Sequence, residues 1–124
     1  MRKLGGIFTA AAVAAVLVAI AVTPSVAASA FDGLWSVSIF TSQGPCSTYR
    51  YPARIVGGRV TQAEPDFTYQ LAGSVNGSGG IVVMVSSGGQ SATGRGHLSR
   101  TRGTGNWAAT GGQCRGTWSA ERRG

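Results

Sequence analysis

The sequence predicts an all-β fold: a single small antiparallel meander of about eight strands, closed or nearly closed into a barrel. Three observations predict it. Beyond residue 30, apolar and polar residues alternate with a period of two in short runs. Glycine-rich steps punctuate these runs at roughly the 8–12-residue spacing of hairpin turns. No segment there carries apolar residues at helical spacing over a comparable length.

The strands follow in order. Strand one is 34–41, with Trp35, Val37 and Ile39 on one face. Strand two is 48–56, where Tyr49, Tyr51, Ala53 and Ile55 alternate with Arg50, Pro52 and Arg54. Gly57-Gly58 is a two-residue hairpin signal, and strand three is 59–63. Strand four, 67–75, aligns Phe67, Tyr69, Leu71, Gly73 and Val75. The turn 76–80 leads to strand five, 81–86, and Ser87-Gly88-Gly89 turns into strand six, 90–98. A basic turn, 100–103, precedes strand seven, 104–110. Gly111-Gly112 then turns into strand eight, 113–121. Pro52 has no amide donor and belongs at an edge or bulge, which argues mildly against a perfectly regular closed barrel.

The only two cysteines beyond residue 30, Cys46 and Cys114, allow one disulfide. If strand eight pairs antiparallel with strand one, the end of strand one lies beside the start of strand eight. Closure then brings Cys46 and Cys114 to the same end of neighbouring strands, where a bridge is geometrically reasonable. In the chain-entropy model a crosslink over such a loop contributes roughly 4 kcal/mol. A chain this short buries only about 60–65% of its unfolded surface, so such help is expected.

The first thirty residues read as an export signal. Arg2 and Lys3 are followed by an uncharged apolar run from Ile7 to Val22, and Pro24 and Ser25 end it. Small residues then offer cleavage after Ala27 (Ser25-Val26-Ala27) or after Ala30 (Ala28-Ser29-Ala30). The run is shorter than the roughly 20 residues that span a bilayer, and no second such run follows. The expected product is one exported domain, 31–124, without a transmembrane segment, in the periplasm or outside the cell. That compartment favours the disulfide.

Chemistry-bearing groups are few. The segment 31–124 holds nine arginines, no lysine, four acids and one histidine, giving a net charge of +5. No Gly-x-Ser-x-Gly motif and no zinc spacing occur there. His97 shares a polar outer face with Arg95, Thr93 and Ser91. Glu64 and Asp66 flank Pro65 without a calcium-loop motif. The glycine-rich turns precede strands rather than a helix that would hold phosphate. No catalytic residue, metal site or cofactor is expected, and the reading is non-enzymatic. Nucleic acid is not expected as a partner of an exported chain without interleaved exposed aromatics.

Gly-x-Trp occurs three times: Gly33-Leu34-Trp35, Gly105-Asn106-Trp107 and Gly116-Thr117-Trp118. Residues two apart share a face, so each indole is expected beside the gap its own glycine leaves. Closure would gather Trp35, Trp107 and Trp118 in one sector, with Tyr49 and Tyr51, as core filling or as a ligand wall. Gly33-Leu34-Trp35 on the first strand of an eight-stranded meander resembles the calycins, which include lipocalins, avidins and bacterial metalloprotease inhibitors. The resemblance covers three residues and a strand count. It implies an Arg from late in the barrel packed on the first-strand Trp, a part open to Arg115 or Arg122. The chain also resembles uncharacterised small exported proteobacterial proteins, some labelled haem-utilisation or adhesion exoproteins.

A meander alternates its turns between two ends. Cys46, Glu64, Asp66 and Cys114 are then expected at one end, and Arg59, Arg100, Arg102, Arg122 and Arg123 at the other. Such an arginine end would attract an anionic envelope component or an acidic protein. The first expectation is therefore an exported binding protein using that end. The alternatives are a calycin-like carrier of a small apolar ligand, a protease inhibitor, or a structural secreted module. A cavity of several hundred Å³ would favour the carrier.

Overall fold

The period-two pattern is realised as eight antiparallel strands in a closed barrel, in the order β1-β2-β3-β4-β5-β6-β7-β8. They are β1 (Gly33–Gln43), β2 (Tyr49–Val56), β3 (Arg59–Gln62), β4 (Gln70–Val75), β5 (Gly80–Ser87), β6 (Gln90–Leu98), β7 (Arg102–Ala109) and β8 (Arg115–Arg122). The computed structural model describes residues 29–64 and 69–124. The leader up to residue 28, and Asp66 and Phe67, lie outside the described residues.

Trp35, Ile39, Ala53, Ile55, Val60, Leu71, Ile81, Leu98, Trp118 and Ala120 form the buried core, with Phe31 from the segment before β1. The intervening positions, such as Arg54, Thr61, Arg95, His97, Thr104 and Thr117, are exposed. Apolar side chains thus line the inside and mostly polar ones coat the outside. That is the reverse of the pattern in barrels that face lipid.

The seam is long. β1 pairs with β8 from Trp35↔Arg122 to Gln43↔Arg115, with a register shift between Thr41 and Gln43. Just beyond that irregularity Cys46 and Cys114 form a disulfide, with Cα atoms 6.1 Å apart. Cys114 is almost completely buried. Pro52 does not open the barrel. It pairs with Ser36 of β1, while the β2–β3 ladder begins only at Ala53. Proline therefore occupies the stretch of β2 that has one neighbour, where no β3 ladder needs its missing donor.

The Gly-x-Trp motifs work differently from the expectation. Their pairing is reciprocal and runs across strands: Gly105 lies opposite Trp118, and Trp107 opposite Gly116. The Trp118 indole uses the gap left by glycines of neighbouring strands rather than by its own Gly116. A Cβ on Gly105 or on Gly96 would come within 2.6 Å of the Trp118 ring. A Cβ on Gly103 would come within 3.3 Å of that ring, and one on Gly94 within 3.5 Å. The Trp118 indole therefore lies along a wall of four glycines from β6 and β7. At Gly116 a Cβ would collide with the Phe40 carbonyl, and that carbonyl accepts the Trp107 indole N–H at 2.9 Å.

This packing sets an expectation for stability. Gly105→Ala places a methyl group against both the Trp118 ring and the Arg95 carbonyl, and should destabilise the fold by about 2–3 kcal/mol. Gly77→Ala, where nothing lies within 4 Å of the new atom, should change stability by less than about 0.5 kcal/mol. Urea unfolding of the two variants checks the contrast.

Candidate ligand-binding cavity

One end of the barrel is plugged, and Arg122 organises the plug. Its guanidinium sits over the Trp35 ring, 5.6 Å from the centroid. It donates to the carbonyls of Ala30 and Arg100, both at 2.9 Å, and to that of Asp32. The Trp35 indole N–H donates to the Phe31 carbonyl at 2.9 Å. Residues 29–32 are thereby drawn across the barrel end with Phe31 buried. The strand-one tryptophan thus has a late-barrel arginine against it, and the arginine is Arg122. Arg115 is exposed and starts β8 at the opposite end.

Asp32 fixes the plug to the β2–β3 turn. Its carboxylate accepts from the Ser29 hydroxyl at 2.5 Å, from the Gly57 amide at 2.8 Å and from the Gly58 amide at 3.2 Å. Both glycines have positive φ, 59° and 79°, as a type I′ hairpin turn requires. The Ser29 hydroxyl bond, then the Gly57 amide, hold the Asp32 carboxyl down at about 2, against a weaker opposing effect of desolvation.

The rest of the interior is hollow. A cavity of about 500 Å³ runs from Trp35 and Leu98 near the plug to Gln90, Ser91 and Gln113 at the disulfide end. Its walls include Val37, Leu71, Val83, Val85, Ala92 and Ala109. Two local features leave the space. The inward positions of β6 from 92 to 96 and of β7 at 103 and 105 are alanine or glycine. In addition, Trp118 lies flat against that glycine wall, with its indole N–H donating to the Arg95 carbonyl at 3.2 Å.

All three indole N–H groups thus donate to backbone carbonyls, so the tryptophans offer the cavity ring surface. Tyr51 and Tyr69 line it as an edge-to-face pair with centroids 5.2 Å apart. Burial, and secondarily the neighbouring Tyr69, push the Tyr51 phenol up to about 12. Burial, then Glu64, also raises Tyr69. Both hydroxyls stay neutral at physiological pH and are hydrogen-bonding groups on an apolar wall. Among the described residues, the only charged side chain along the lining is Arg50, exposed on the outer rim of β2. It donates to the Ser38 hydroxyl at 3.3 Å.

The residues singled out from sequence divide as follows. Trp35, Trp107, Trp118 and Tyr51 line the cavity, whereas Tyr49 is 56% exposed at its rim. Trp35 and Trp118 are also buried core, so core filling and cavity wall coincide in them. Arg100, Arg102 and Arg122 lie on the β6–β7 turn, β7 and β8, and Arg123 just after β8, at the plugged end. Arg59 begins β3, on the same end but four strands from β7. Arg122 is drawn into the plug, and Arg123 lies 3.9 Å from Glu121. Sequence reasoning did not single out Asp32, Tyr69, Val83 or Val85 as site residues, although Tyr69 stands at an inward position of the strand-four alternation. No known protein family, no curated protein and no solved structure matches this chain.

The plug predicts an acid response. A lowered carboxyl contributes stability that is full above its unfolded value of 3.8 and is lost as pH falls towards about 2. Thermal scans between pH 5 and 2, a range of about three units bracketing that window, should show a step in melting temperature. Asp32→Asn should be less stable at pH 5 and should lack that step.

Proposed function

We propose that the protein is an exported, non-enzymatic carrier that holds one small, uncharged, largely apolar molecule inside the barrel. The observation that carries this reading is the hollow interior. Its volume of about 500 Å³ lies within the roughly 300–1,000 Å³ range of small-molecule pockets. Its lining is aliphatic and aromatic, with two neutral phenols for orientation. Apart from Arg50 at the rim, the lining offers no charge to replace the hydration an ion would lose, so the deep interior selects against ions. The Arg122–Trp35 contact beside Gly33 supports the calycin-like alternative over binding at an arginine-rich end. Export rests on the leader sequence and is supported by the Cys46–Cys114 bridge.

The test uses a neutral aromatic probe, N-phenyl-1-naphthylamine. One equivalent should bind saturably, with energy transfer from the three tryptophans. Val83→Phe, which fills the cavity, should weaken binding at least tenfold while the chain remains folded. Replacing Arg100 and Arg102 together with Ser should leave binding of this probe unchanged. If binding survives Val83→Phe, the interior is not the site. If only the double arginine variant loses binding, the plugged end is the site and the carrier reading falls.

A further inference from the structure

We infer that the guest is a neutral compound with a planar aromatic ring, which stacks on the Trp118 indole, and one hydrogen-bonding substituent, which meets the Tyr51 hydroxyl. This rests on the carrier reading above and narrows its ligand. An apolar lining alone would accept a flexible alkyl chain equally well. The placement of the indoles and of one phenol favours a ring.

A Cβ on Gly94 would meet Cδ1 and Nε1 of Trp118, one on Gly96 its Cζ2, one on Gly103 its Cζ3, and one on Gly105 its Cε2 and Nε1. Only a ring lying flat along the wall meets all four positions. Its other face is turned inward, where Trp118 lines the cavity. The Nε1 proton is already given to the Arg95 carbonyl, so that face asks for no polar partner. In the cyclic strand order β8 stands across the barrel from β4, which places Leu71 on the facing wall. A flat guest fits between the two, and stacking adds to area burial only when the guest is itself aromatic. Trp107 extends the same wall. It reaches from β7 past β8 to the Phe40 carbonyl on β1 and also lines the cavity.

Tyr51 supplies the polar contact. Its ring is held edge-to-face by Tyr69, and burial keeps its phenol protonated. Among the described residues nothing hydrogen-bonds the Tyr51 hydroxyl. A guest oxygen or nitrogen would restore the hydration that burial removes. Ile39 pairs with Tyr49 on one side and Trp118 on the other, and Val37 pairs with Tyr51 and Ala120. Tyr51 and Trp118 therefore stand on either side of β1, one inward step apart along the strands. Two strand spacings are about 10 Å, a span that a fused ring with one substituent bridges.

The experiment measures displacement of N-phenyl-1-naphthylamine from the oxidised protein by 2-naphthol, 2-methylnaphthalene and decahydro-2-naphthol. The last keeps the carbon skeleton and hydroxyl of 2-naphthol but is not planar. 2-Naphthol should bind about fivefold tighter than decahydro-2-naphthol, as stacking on an indole predicts. Tyr51→Phe removes one oxygen and keeps the ring. It should weaken 2-naphthol about fivefold and change 2-methylnaphthalene by less than about twofold. Intermolecular nuclear Overhauser contacts should connect the 2-naphthol ring protons to the Trp118 indole. Equal binding of decahydro-2-naphthol, or ring protons without contact to Trp118, overturns the stacked ring and leaves the carrier reading standing. Unchanged binding of 2-naphthol in Tyr51→Phe, or an equal loss for 2-methylnaphthalene, overturns the role of Tyr51. Tighter binding of 2-naphthoate than of 2-naphthol would place an anion towards Arg50 and overturn the neutral guest. If N-phenyl-1-naphthylamine itself does not bind, the carrier reading falls and this inference with it.

Discussion

Three stretches of chain meet at the Arg122 guanidinium: the segment before β1, the β6–β7 turn and the end of β8. Its planar fork suits this arrangement, because several N–H groups can reach separate carbonyls while the flat face covers the Trp35 ring. A lysine would bring a compact ammonium and could not make the same set of contacts. Asp32 completes the plug from the other side by holding the β2–β3 turn through two backbone amides. With one end tied in this way, the barrel has a floor, and the interior becomes a cup rather than a channel.

The space above that floor needs a physical account. At roughly 24 cal/mol per Å³, a sealed dry void of this volume would cost on the order of 10 kcal/mol. That is comparable with the entire stability of an ordinary small domain. The cavity is tolerable because it reaches the surface at the disulfide end, where Gln90, Ser91 and Gln113 line it and solvent or a ligand can occupy it. An ordinary core would have larger residues at Ala92, Ala109 and the glycines of β6 and β7. The small residues on the inner wall, with Trp118 laid flat against them, lower core packing and leave room for a guest.

Much of this architecture was legible in the sequence, and what was missed has a common cause. Alternation with a period of two depends only on neighbours along one strand, so it gave the eight strands and their inward faces. The Cys46 and Cys114 positions added one long-range constraint, sufficient to identify β1 and β8 as the seam. The Gly-x-Trp motifs were misread because their meaning depends on register. Gly105 serves Trp118 only because the β7–β8 ladder puts them opposite each other. Arg122 and Arg115 could not be separated from sequence for a related reason, since they lie at opposite ends of the same strand. Asp32 gave no signal, because its partners are backbone amides twenty-five and twenty-six residues away. Whether the interior is full or hollow was equally out of reach. An inward glycine looks the same in sequence whether a neighbouring indole covers it or nothing does.

The position of the disulfide follows from the same asymmetry between the ends. At the plugged end β1 and β8 are held by the Arg122 contacts and by backbone bonds between Leu34 and the last residues of the chain. At the other end the seam becomes irregular after Thr41, and nothing comparable to the plug restrains it among the described residues. An unbraced rim would widen and narrow as β1 and β8 fray, and a ligand would have to order it on entry. The Cys46–Cys114 bond ties the β1–β2 connection to the start of β8 at that point. It therefore does more than shorten the unfolded chain's reach. It holds the mouth of the cavity in shape before anything binds, which lowers the ordering cost of binding.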